Sequence, residues 1–212
     1  MICVADIHIR PGCREDSQRF ISWLEHMKEQ ESPIYILGDL FDYWFTGIEP
    51  VLADVLTALS SPRVFVIPGN RDFLLANSSA PGIRVLGEEE IVHAPSSRRV
   101  LLAHGHTLTE GDYKFKVLHA LGWPVLRLLD RVLNGASKER IARLMVSSSA
   151  FVRAPRAAID PSLASRRGVD TIICGHLHRA FLSERLIVLP PFFDTGQWLA
   201  WDERGYRIEP AV

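Results

Sequence analysis

The chain has 212 residues, of which 47% are hydrophobic and 23% are charged, and these values are typical of a single globular domain. The formal net charge of −1 provides no overall attraction to nucleic acid or to an anionic membrane. The three cysteines, Cys3, Cys13 and Cys174, are odd in number and far apart, which argues against a disulfide framework and against a cysteine-based zinc site.

The N-terminal third of the chain alternates between strand and helix patterns. Short apolar runs predict strands at 1–5, 34–37 and 64–67. Apolar residues at helical spacing predict helices at 15–30 and 51–59. A helix between two consecutive strands returns the chain to the same end of the sheet. The alternation therefore predicts a parallel sheet with right-handed crossovers.

The pattern then changes to short strands that follow one another directly. Turn residues separate the β-runs of 83–103, which is typical of a meander and indicates a mixed sheet. The C-terminal third repeats this pattern, with strands predicted at 171–174, 186–189, 197–201 and 206–208. Two packed β-sheets with flanking helices are the simplest assembly of these elements.

A basic helical segment, residues 107–168, separates the two β-rich regions. Helices are predicted near 113–133, with an interruption at 122–124, and near 138–152, with a short third helix after Pro155. The segment holds 11 Lys and Arg against 5 Asp and Glu, a local charge of +6 that leaves −7 on the rest of the chain.

Two interpretations of the helical segment remain open. As a lid, its cations would attract an anionic diphosphate, and its apolar residues would line a groove for acyl chains or dip into lipid. Alternatively, the apolar residues only pack the helices together and the cations are solvated. The apolar residues in question are Val117, Leu118, Leu121, Trp123, Val125, Leu126, Leu128, Leu129, Val132 and Leu133.

The sequence predicts a cytoplasmic protein. The N-terminus leads directly into a strand, without a signal peptide. No run reaches about 18 apolar residues, so no transmembrane helix is expected. Peripheral contact with the inner-membrane surface stays open because of the basic helical segment.

Metal-ligand side chains follow five of the predicted strands. Any one of them alone is more often a turn, cap or hydrogen-bonded polar residue. As a set they indicate a metal site, because ligands collect outside the carboxyl ends of strands in α/β sheets. Imidazole, carboxylate and amide groups are sufficient for two divalent metals, and a carboxylate between them could bridge both. The residues are Asp6, His8, Asp39, Asn70, His104, His176 and His178.

These motifs resemble the five blocks of calcineurin-like metallophosphoesterases, in the same order and across nearly the whole chain. They read Asp6-x-His8, Gly38-Asp39-x-x-Asp42, Gly69-Asn70-Arg71-Asp72, His104 and Gly175-His176-x-His178. The resemblance implies a four-layer αββα sandwich of the α/β class, with one domain over 1–212 and residues 107–168 inserted in it as a helical lid.

The resemblance also implies a dinuclear site, with Mn²⁺ as the expected metal. One ion would be held by Asp6, His8, Asp39 and His178, and the other by Asp39, Asn70, His104 and His176. The implied catalytic residues are Arg71, Asp39 and His176. Arg71 is suited to phosphate oxygens because its guanidinium is a permanent cation with several fixed donors.

Within that superfamily, the runs 37–44 and 69–74 are similar to the family of UDP-2,3-diacylglucosamine hydrolases of lipid A biosynthesis. This similarity implies pyrophosphate hydrolysis of a UDP-linked diacylated glucosamine. No nucleic-acid partner is expected, and no protein partner is inferred. Three positions depart from the family pattern, with His106, Arg153 and Arg156 in place of Asp, Asn and Lys. The implied substrate-binding residues are Asn70, Arg71, Asp112, Ser149, Arg153 and Arg156.

Two other functions stay open. The first is a metallophosphoesterase that acts on a soluble nucleotide or another phosphodiester. The second is a non-catalytic interaction module on the same fold, which predicts missing ligands, whereas all seven are present. A nuclease is disfavoured because the cations lie in the helical segment rather than along a groove with aromatics. No P-loop, GxSxG or dinucleotide-binding motif supports another enzyme class.

Overall fold

The computed structural model describes residues 1–77, 82–110, 122–149 and 158–211. Within these residues the chain forms eleven strands, six α-helices and two 3₁₀ helices. The strands are β1 (Ile2–Val4), β2 (Ile34–Leu37), β3 (Val64–Ile67), β4 (Arg84–Val85), β5 (Glu89–His93), β6 (Arg99–Ala103), β7 (Thr171–Cys174), β8 (Phe181–Leu182), β9 (Leu186–Val188), β10 (Gln197–Asp202) and β11 (Gly205–Pro210). The α-helices are α1 (Arg14–Lys28), α2 (Ala53–Leu59), α3 (Trp123–Val132), α4 (Gly135–Ser149), α5 (Leu163–Arg166) and α6 (Phe192–Thr195), and the 3₁₀ helices are Glu49–Leu52 and Phe73–Asn77.

The strands form two mixed sheets. The first has the order β11-β10-β1-β2-β3-β4, with β1 to β4 parallel and β10 antiparallel to β1. The second has the order β5-β6-β7-β9-β8, with β6, β7 and β9 parallel. The predicted parallel arrangement of the first three strands is therefore confirmed.

The predicted meander over 83–103 is wrong at its first strand. β4 pairs in parallel with β3 in the first sheet, whereas β5 pairs with β6 in the second. The chain changes sheets at Leu86, whose side chain packs into the core between the two sheets. This change cannot be seen from strand spacing, because the turn residues look the same whichever sheet receives the next strand.

Successive side chains along a strand face opposite sides of the sheet, and each side packs against a different layer of the fold. Ile2 and Val4 of β1 face a cluster that contains residues of α1 and α2, whereas Cys3 faces a second cluster between the sheets. Along β7, Ile173 also faces this second cluster, and the residues on either side of it face a third cluster that includes Ala164 of α5. The order helix, sheet, sheet, helix confirms the predicted αββα sandwich of the α/β class.

The ends of the helical segment meet at the second sheet. Glu110 and Ala158 form an isolated antiparallel bridge, with backbone hydrogen bonds of 2.8 and 3.4 Å. Helix α4 starts three residues before the predicted 138–152 and is described up to Ser149, because 150–157 lie outside the described residues. Helix α5 corresponds to the short helix expected after Pro155. The predicted helix near 113–133 is seen only from residue 123, because 111–121 lie outside the described residues.

Three residues of the helical segment contact the segments that follow β2 and β3. The ring of Trp123, at the start of α3, stacks on Phe73 with a centroid distance of 4.1 Å. Asp130 accepts hydrogen bonds from the backbone N–H (2.9 Å) and the hydroxyl (2.7 Å) of Thr46. Lys138 of α4 lies 3.3 Å from Asp130 and donates to the Thr46 carbonyl. Among the described residues, we find no helix with the length and apolar content that crossing a membrane requires.

Candidate metal centre

The pairing of β1 with β2 continues beyond the ends of the two strands. The N–H of Asp6 donates to the Gly38 carbonyl at 3.2 Å, and the N–H of His8 donates to the Asp39 carbonyl at 2.9 Å. These hydrogen bonds hold both segments in register where their polar side chains begin. Three of the predicted metal ligands therefore lie at one edge of the first sheet.

One hydrogen bond within the second sheet and one between the sheets complete this edge. The N–H of Gly175, just after β7, donates to the His104 carbonyl, just after β6, at 2.9 Å. The N–H of His176 donates to Asp6 Oδ2 at 2.9 Å. The carboxyl ends of the parallel strands in both sheets thus meet at one place, as the topology of α/β sheets leads one to expect.

Five of the seven predicted ligands have left-handed backbone conformations. Their φ angles are 54° at Asp6, 55° at His8, 49° at Asp39, 68° at His176 and 50° at His178. Each such residue other than glycine costs on the order of 1–3 kcal/mol, and such residues concentrate at ligand sites. No sequence signal indicated these conformations, because the residue types Asp and His tolerate several.

Neighbouring glycines leave the space that the ligands occupy. A Cβ at Gly38, whose φ is 78°, would lie 2.5 Å from the ring of His104. A Cβ at Gly175 would lie 2.6 Å from Asp6 Oδ2. Any side chain at either position would displace a predicted ligand, which explains the pairing of Gly with a ligand in both motifs.

The first group of predicted ligands converges on one point. One ligand atom from each of Asp6, His8, Asp39 and His178 lies within 4.8 Å of all the others. His8 Nε2 is 3.3 Å from His178 Nε2, and His178 Nε2 is 3.5 Å from Asp6 Oδ1. These are the four residues that the resemblance implied for one metal.

The second group converges on the amide oxygen of Asn70. Asn70 Oδ1 is 2.9 Å from His104 Nε2 and 3.0 Å from His176 Nδ1. His104 Nε2 is also 3.6 Å from Asp39 Oδ1, which places Asp39 between the two groups. The structure therefore brings all seven predicted ligands together, while their binding of metal stays a prediction.

The spacing and chemistry of these atoms fit divalent cations. Two atoms bound at right angles to one ion, each about 2.1 Å from it, lie about 3 Å apart, close to the distances above. His104 Nδ1 lies 3.0 Å from the Leu37 carbonyl, so this nitrogen carries the proton and Nε2 presents a lone pair to Asn70 Oδ1. Two acceptors this close repel each other, and a shared cation removes that repulsion.

Burial sets the charges of the ionisable groups here. Burial lowers the pKa of His104 to about 4, so its ring is neutral and able to bind a metal. Burial raises the pKa of the Asp39 carboxyl, and the nearby charge of Arg71 opposes this change. A buried carboxylate with a raised pKa gains from a cation beside it.

Asp72 has a structural role that sequence reasoning did not identify. Its fully buried carboxylate accepts hydrogen bonds from the N–H of Gly69 (2.7 Å) and of Phe41 (3.1 Å). It therefore joins the loop after β3 to the loop after β2. Burial, and the charge of Asp39, raise the pKa of Asp72. Only its place in the third motif could have pointed to it.

Arg71 lies at the edge of the candidate metal centre, with 16% of its side chain exposed. Its backbone N–H donates to Asp39 Oδ1 at 2.9 Å, and its Nη1 donates to Asp42 Oδ1 at 2.6 Å. Its Nε is 3.7 Å from Asp39 Oδ2. A guanidinium has five N–H donors, so this position is compatible with binding phosphate oxygens.

His106 is buried between the candidate centre and the helical segment. Its ring centroid is 5.4 Å from that of His104 and 5.4 Å from that of Trp123. His106 therefore lies between a predicted ligand and Trp123, the first residue of α3.

The other predicted substrate-binding residues are not brought to the site by the described part of the structure. Asp112, Arg153 and Arg156 lie outside the described residues. Ser149 is the last residue of α4, and its side chain is not among those described. Of the six, Asn70 and Arg71 lie at the candidate metal centre.

Comparison with known proteins gives consistent similarities. The profile of the calcineurin-like phosphoesterase family matches residues 1–180. A UDP-2,3-diacylglucosamine hydrolase of Aeromonas hydrophila subsp. hydrophila is 31% identical, with 97% of this chain and 96% of that protein covered. One from Pseudomonas putida (strain W619) is 26% identical, with 99% and 98% covered. The solved structure of Yfce, a phosphoesterase from E. coli, has a TM-score of 0.47 and 16% identity, with 95% of this chain and 87% of that chain covered.

Proposed function

The chain belongs to the calcineurin-like phosphoesterase family, and on that premise we propose that it hydrolyses the pyrophosphate of UDP-2,3-diacylglucosamine. The products are UMP and 2,3-diacylglucosamine 1-phosphate. The observation that carries the proposal is the convergence of seven metal-ligand side chains at one edge of the sandwich. The substrate is supported by the relatives named UDP-2,3-diacylglucosamine hydrolase, which align with nearly the whole chain.

The proposed cofactors are two divalent cations, with Mn²⁺ as the expected ion. Asp6, His8 and His178 would hold one, Asn70, His104 and His176 the other, and Asp39 both. When bound, such ions supply positive charge for the phosphoryl oxygens and activate the attacking water. The left-handed backbones of five of these residues, together with backbone hydrogen bonds between the segments, set where the ligand side chains leave the chain.

The proposed role of Arg71 is to bind and orient the phosphate oxygens. Its guanidinium is held at the edge of the candidate centre by the hydrogen bond from Nη1 to Asp42, and a guanidinium has further N–H groups that would donate to a substrate. The helical segment would act as a lid, and its residues would contact the rest of the substrate. These residues are Asp112, Ser149, Arg153 and Arg156. Support comes from the docking of α3, since Trp123 lies against His106 and Phe73 beside the centre.

We further propose that the helical segment contacts the inner-membrane surface. Val125, Leu128 and Val132 of α3 are 53%, 59% and 67% exposed. Their spacing of three and four residues puts them on one face of the helix. Arg127 and Arg131 are exposed on the same helix, so α3 combines an apolar face with positive charge, as interfacial helices do.

The membrane contact can be tested by sedimentation with vesicles that contain anionic phospholipid. Val125→Ser, Leu128→Ser and Val132→Ser together should lower the bound fraction at least about fivefold, because three apolar anchors are lost. Val51→Ser is the control, since Val51 is similarly exposed, at 57%, but lies on the 3₁₀ helix before α2. Equal binding of the triple variant and the parent protein would contradict the proposal.

The activity is tested by incubating the purified protein with Mn²⁺ and UDP-2,3-diacylglucosamine and measuring UMP. Rapid release of UMP is expected, with loss of activity after dialysis against EDTA and recovery on addition of Mn²⁺. A parallel reaction contains bis-p-nitrophenyl phosphate, a generic phosphodiester. Hydrolysis of the generic diester without release of UMP would contradict the proposed substrate and favour a soluble nucleotide or other phosphodiester.

A further inference from the structure

Asp42 lies beside the candidate metal centre without belonging to either group of predicted ligands. Its N–H donates to the carbonyl of Ile9 at 3.0 Å, and Ile9 and Phe41 form an isolated parallel bridge. These contacts fix the backbone of Asp42 against the segment that carries His8. The position of its carboxylate relative to the centre is therefore set by the register of the two segments.

One oxygen of Asp42 faces two functional groups. Asp42 Oδ1 accepts a hydrogen bond from Arg71 Nη1 at 2.6 Å. The same oxygen lies 3.6 Å from His8 Nδ1. The other ring nitrogen of His8, Nε2, points to the candidate centre, 3.3 Å from His178 Nε2. Asp42 thus lies behind the His8 ring, on the side away from the predicted metal.

We propose that Asp42 is a positioning residue with two effects, and this proposal rests on the phosphoesterase function proposed above. Asp42 orients the imidazole of His8 for binding metal. It also holds the guanidinium of Arg71 for binding phosphate. A carboxylate behind a ligating histidine favours the tautomer with the proton on the far nitrogen. The near nitrogen then keeps its lone pair for the ion.

The second effect concerns the orientation of the Arg71 guanidinium. An arginine side chain has several rotatable bonds, and ordering it at the moment of substrate binding costs conformational entropy. The short hydrogen bond to Asp42 fixes one nitrogen of the guanidinium in advance. The planar fork then presents its remaining donors in a fixed direction, which is what bidentate phosphate binding requires.

The test compares Asp42→Ala, Asp42→Asn and Asp42→Glu in Mn²⁺ titration calorimetry and in hydrolysis of bis-p-nitrophenyl phosphate at saturating Mn²⁺. Asp42→Ala should weaken Mn²⁺ binding about tenfold and lower kcat about 10- to 100-fold, the usual range for such supporting groups. Asp42→Glu should retain more of both properties, because it keeps the carboxylate. Asp42→Asn conserves the shape, so it carries the same test if the alanine variant does not fold.

Combination with Arg71→Ala separates the two effects. If Asp42 acts on kcat through Arg71, the double variant should have the kcat of Arg71→Ala alone, within about threefold. The weakened Mn²⁺ binding should persist in the double variant, because that effect runs through His8. The proposal would be overturned if the kcat losses of the two single variants multiplied in the double variant. It would also be overturned if Asp42→Ala bound Mn²⁺ like the parent protein.

Asp202→Asn is the control. Asp202 also pairs with an arginine, since its Oδ2 accepts from Arg207 Nη1 at 2.6 Å, but it lies at the end of β10, beside the start of β1 rather than its carboxyl end. We expect this variant to bind Mn²⁺ and hydrolyse the diester like the parent protein. None of these measurements uses the lipid substrate, so failure to release UMP from UDP-2,3-diacylglucosamine would not affect the result for Asp42.

Discussion

Replacing Asp39 with alanine should abolish Mn²⁺ binding and hydrolysis together. Asp39 belongs to the first group of ligands, and its Oδ1 lies 3.6 Å from His104 Nε2 in the second. Loss of one carboxylate therefore weakens both sites, and we expect a fall in kcat/KM of at least about 10³-fold, since bound metal supplies several kcal/mol of transition-state stabilisation. Calorimetry gives the number of bound ions, and hydrolysis of bis-p-nitrophenyl phosphate gives the rate.

The stability of the metal-free protein provides a second measurement for Asp39. Its pKa is raised in the native state, chiefly by burial, so the unfolded chain loses this proton first as the pH rises. As the pH rises above the ordinary pKa of an aspartate, the unfolded chain is therefore stabilised relative to the metal-free native state. This loss of stability is complete above the raised pKa of native Asp39. Asp39→Asn should therefore unfold at a higher urea concentration than the parent protein at pH 8, both without metal.

Asp54→Ala is the control for these experiments, because Asp54 is exposed on α2. It should leave Mn²⁺ binding, rate and urea midpoint unchanged. Binding of two Mn²⁺ ions by Asp39→Ala with the parent affinity would show that Asp39 does not bridge the two groups.

Arg71→Ala should keep both metals and lose rate. Arg71 belongs to neither ligand group, and its guanidinium lies at the open edge of the centre. Removing a positive donor from a transferring phosphoryl group costs on the order of 10²- to 10³-fold in kcat. Steady-state hydrolysis at saturating Mn²⁺ measures this loss, and calorimetry confirms that the metals remain.

Arg71→Lys tests whether the planar guanidinium matters beyond its charge. A lysine restores the charge without the fork, so we expect it to recover only part of the lost rate. Arg204→Ala, at an exposed arginine between β10 and β11, should behave like the parent protein. Normal turnover by Arg71→Ala would remove Arg71 from the phosphate-binding group.

The buried strands and the ligand set could be predicted because both depend on local sequence. β2, β3 and β7 have the predicted bounds, since each is an apolar run that ends before a glycine or, in β3, before Pro68 and Gly69. The ligands follow directly from the strand ends. The parallel topology then places the ligands of each sheet at one edge, whereas the meeting of the two edges involves long-range contacts such as the hydrogen bond from His176 to Asp6.

The supporting contacts could not be predicted in the same way. The hydrogen bonds of Asp72 depend on which loops come together, and those of Asp42 depend on the register of two segments. β8 contains only Phe181 and Leu182, both exposed, and so gives no alternating pattern. In α3, the apolar residues include both Trp123, which is buried, and Leu128, which is exposed, so composition alone does not identify the packed face.

The left-handed backbones at five of the predicted ligands also bear on how fast an ion can bind. When the ligands of a protein must rearrange before an ion can bind, that rearrangement is the rate-limiting step of metal binding. Here the interstrand hydrogen bonds already hold Asp6, His8 and Asp39 in their unusual conformations. Capture of an ion should then be limited by the exchange of its own water molecules, so ions with labile hydration shells would enter faster than Mg²⁺, which loses water reluctantly.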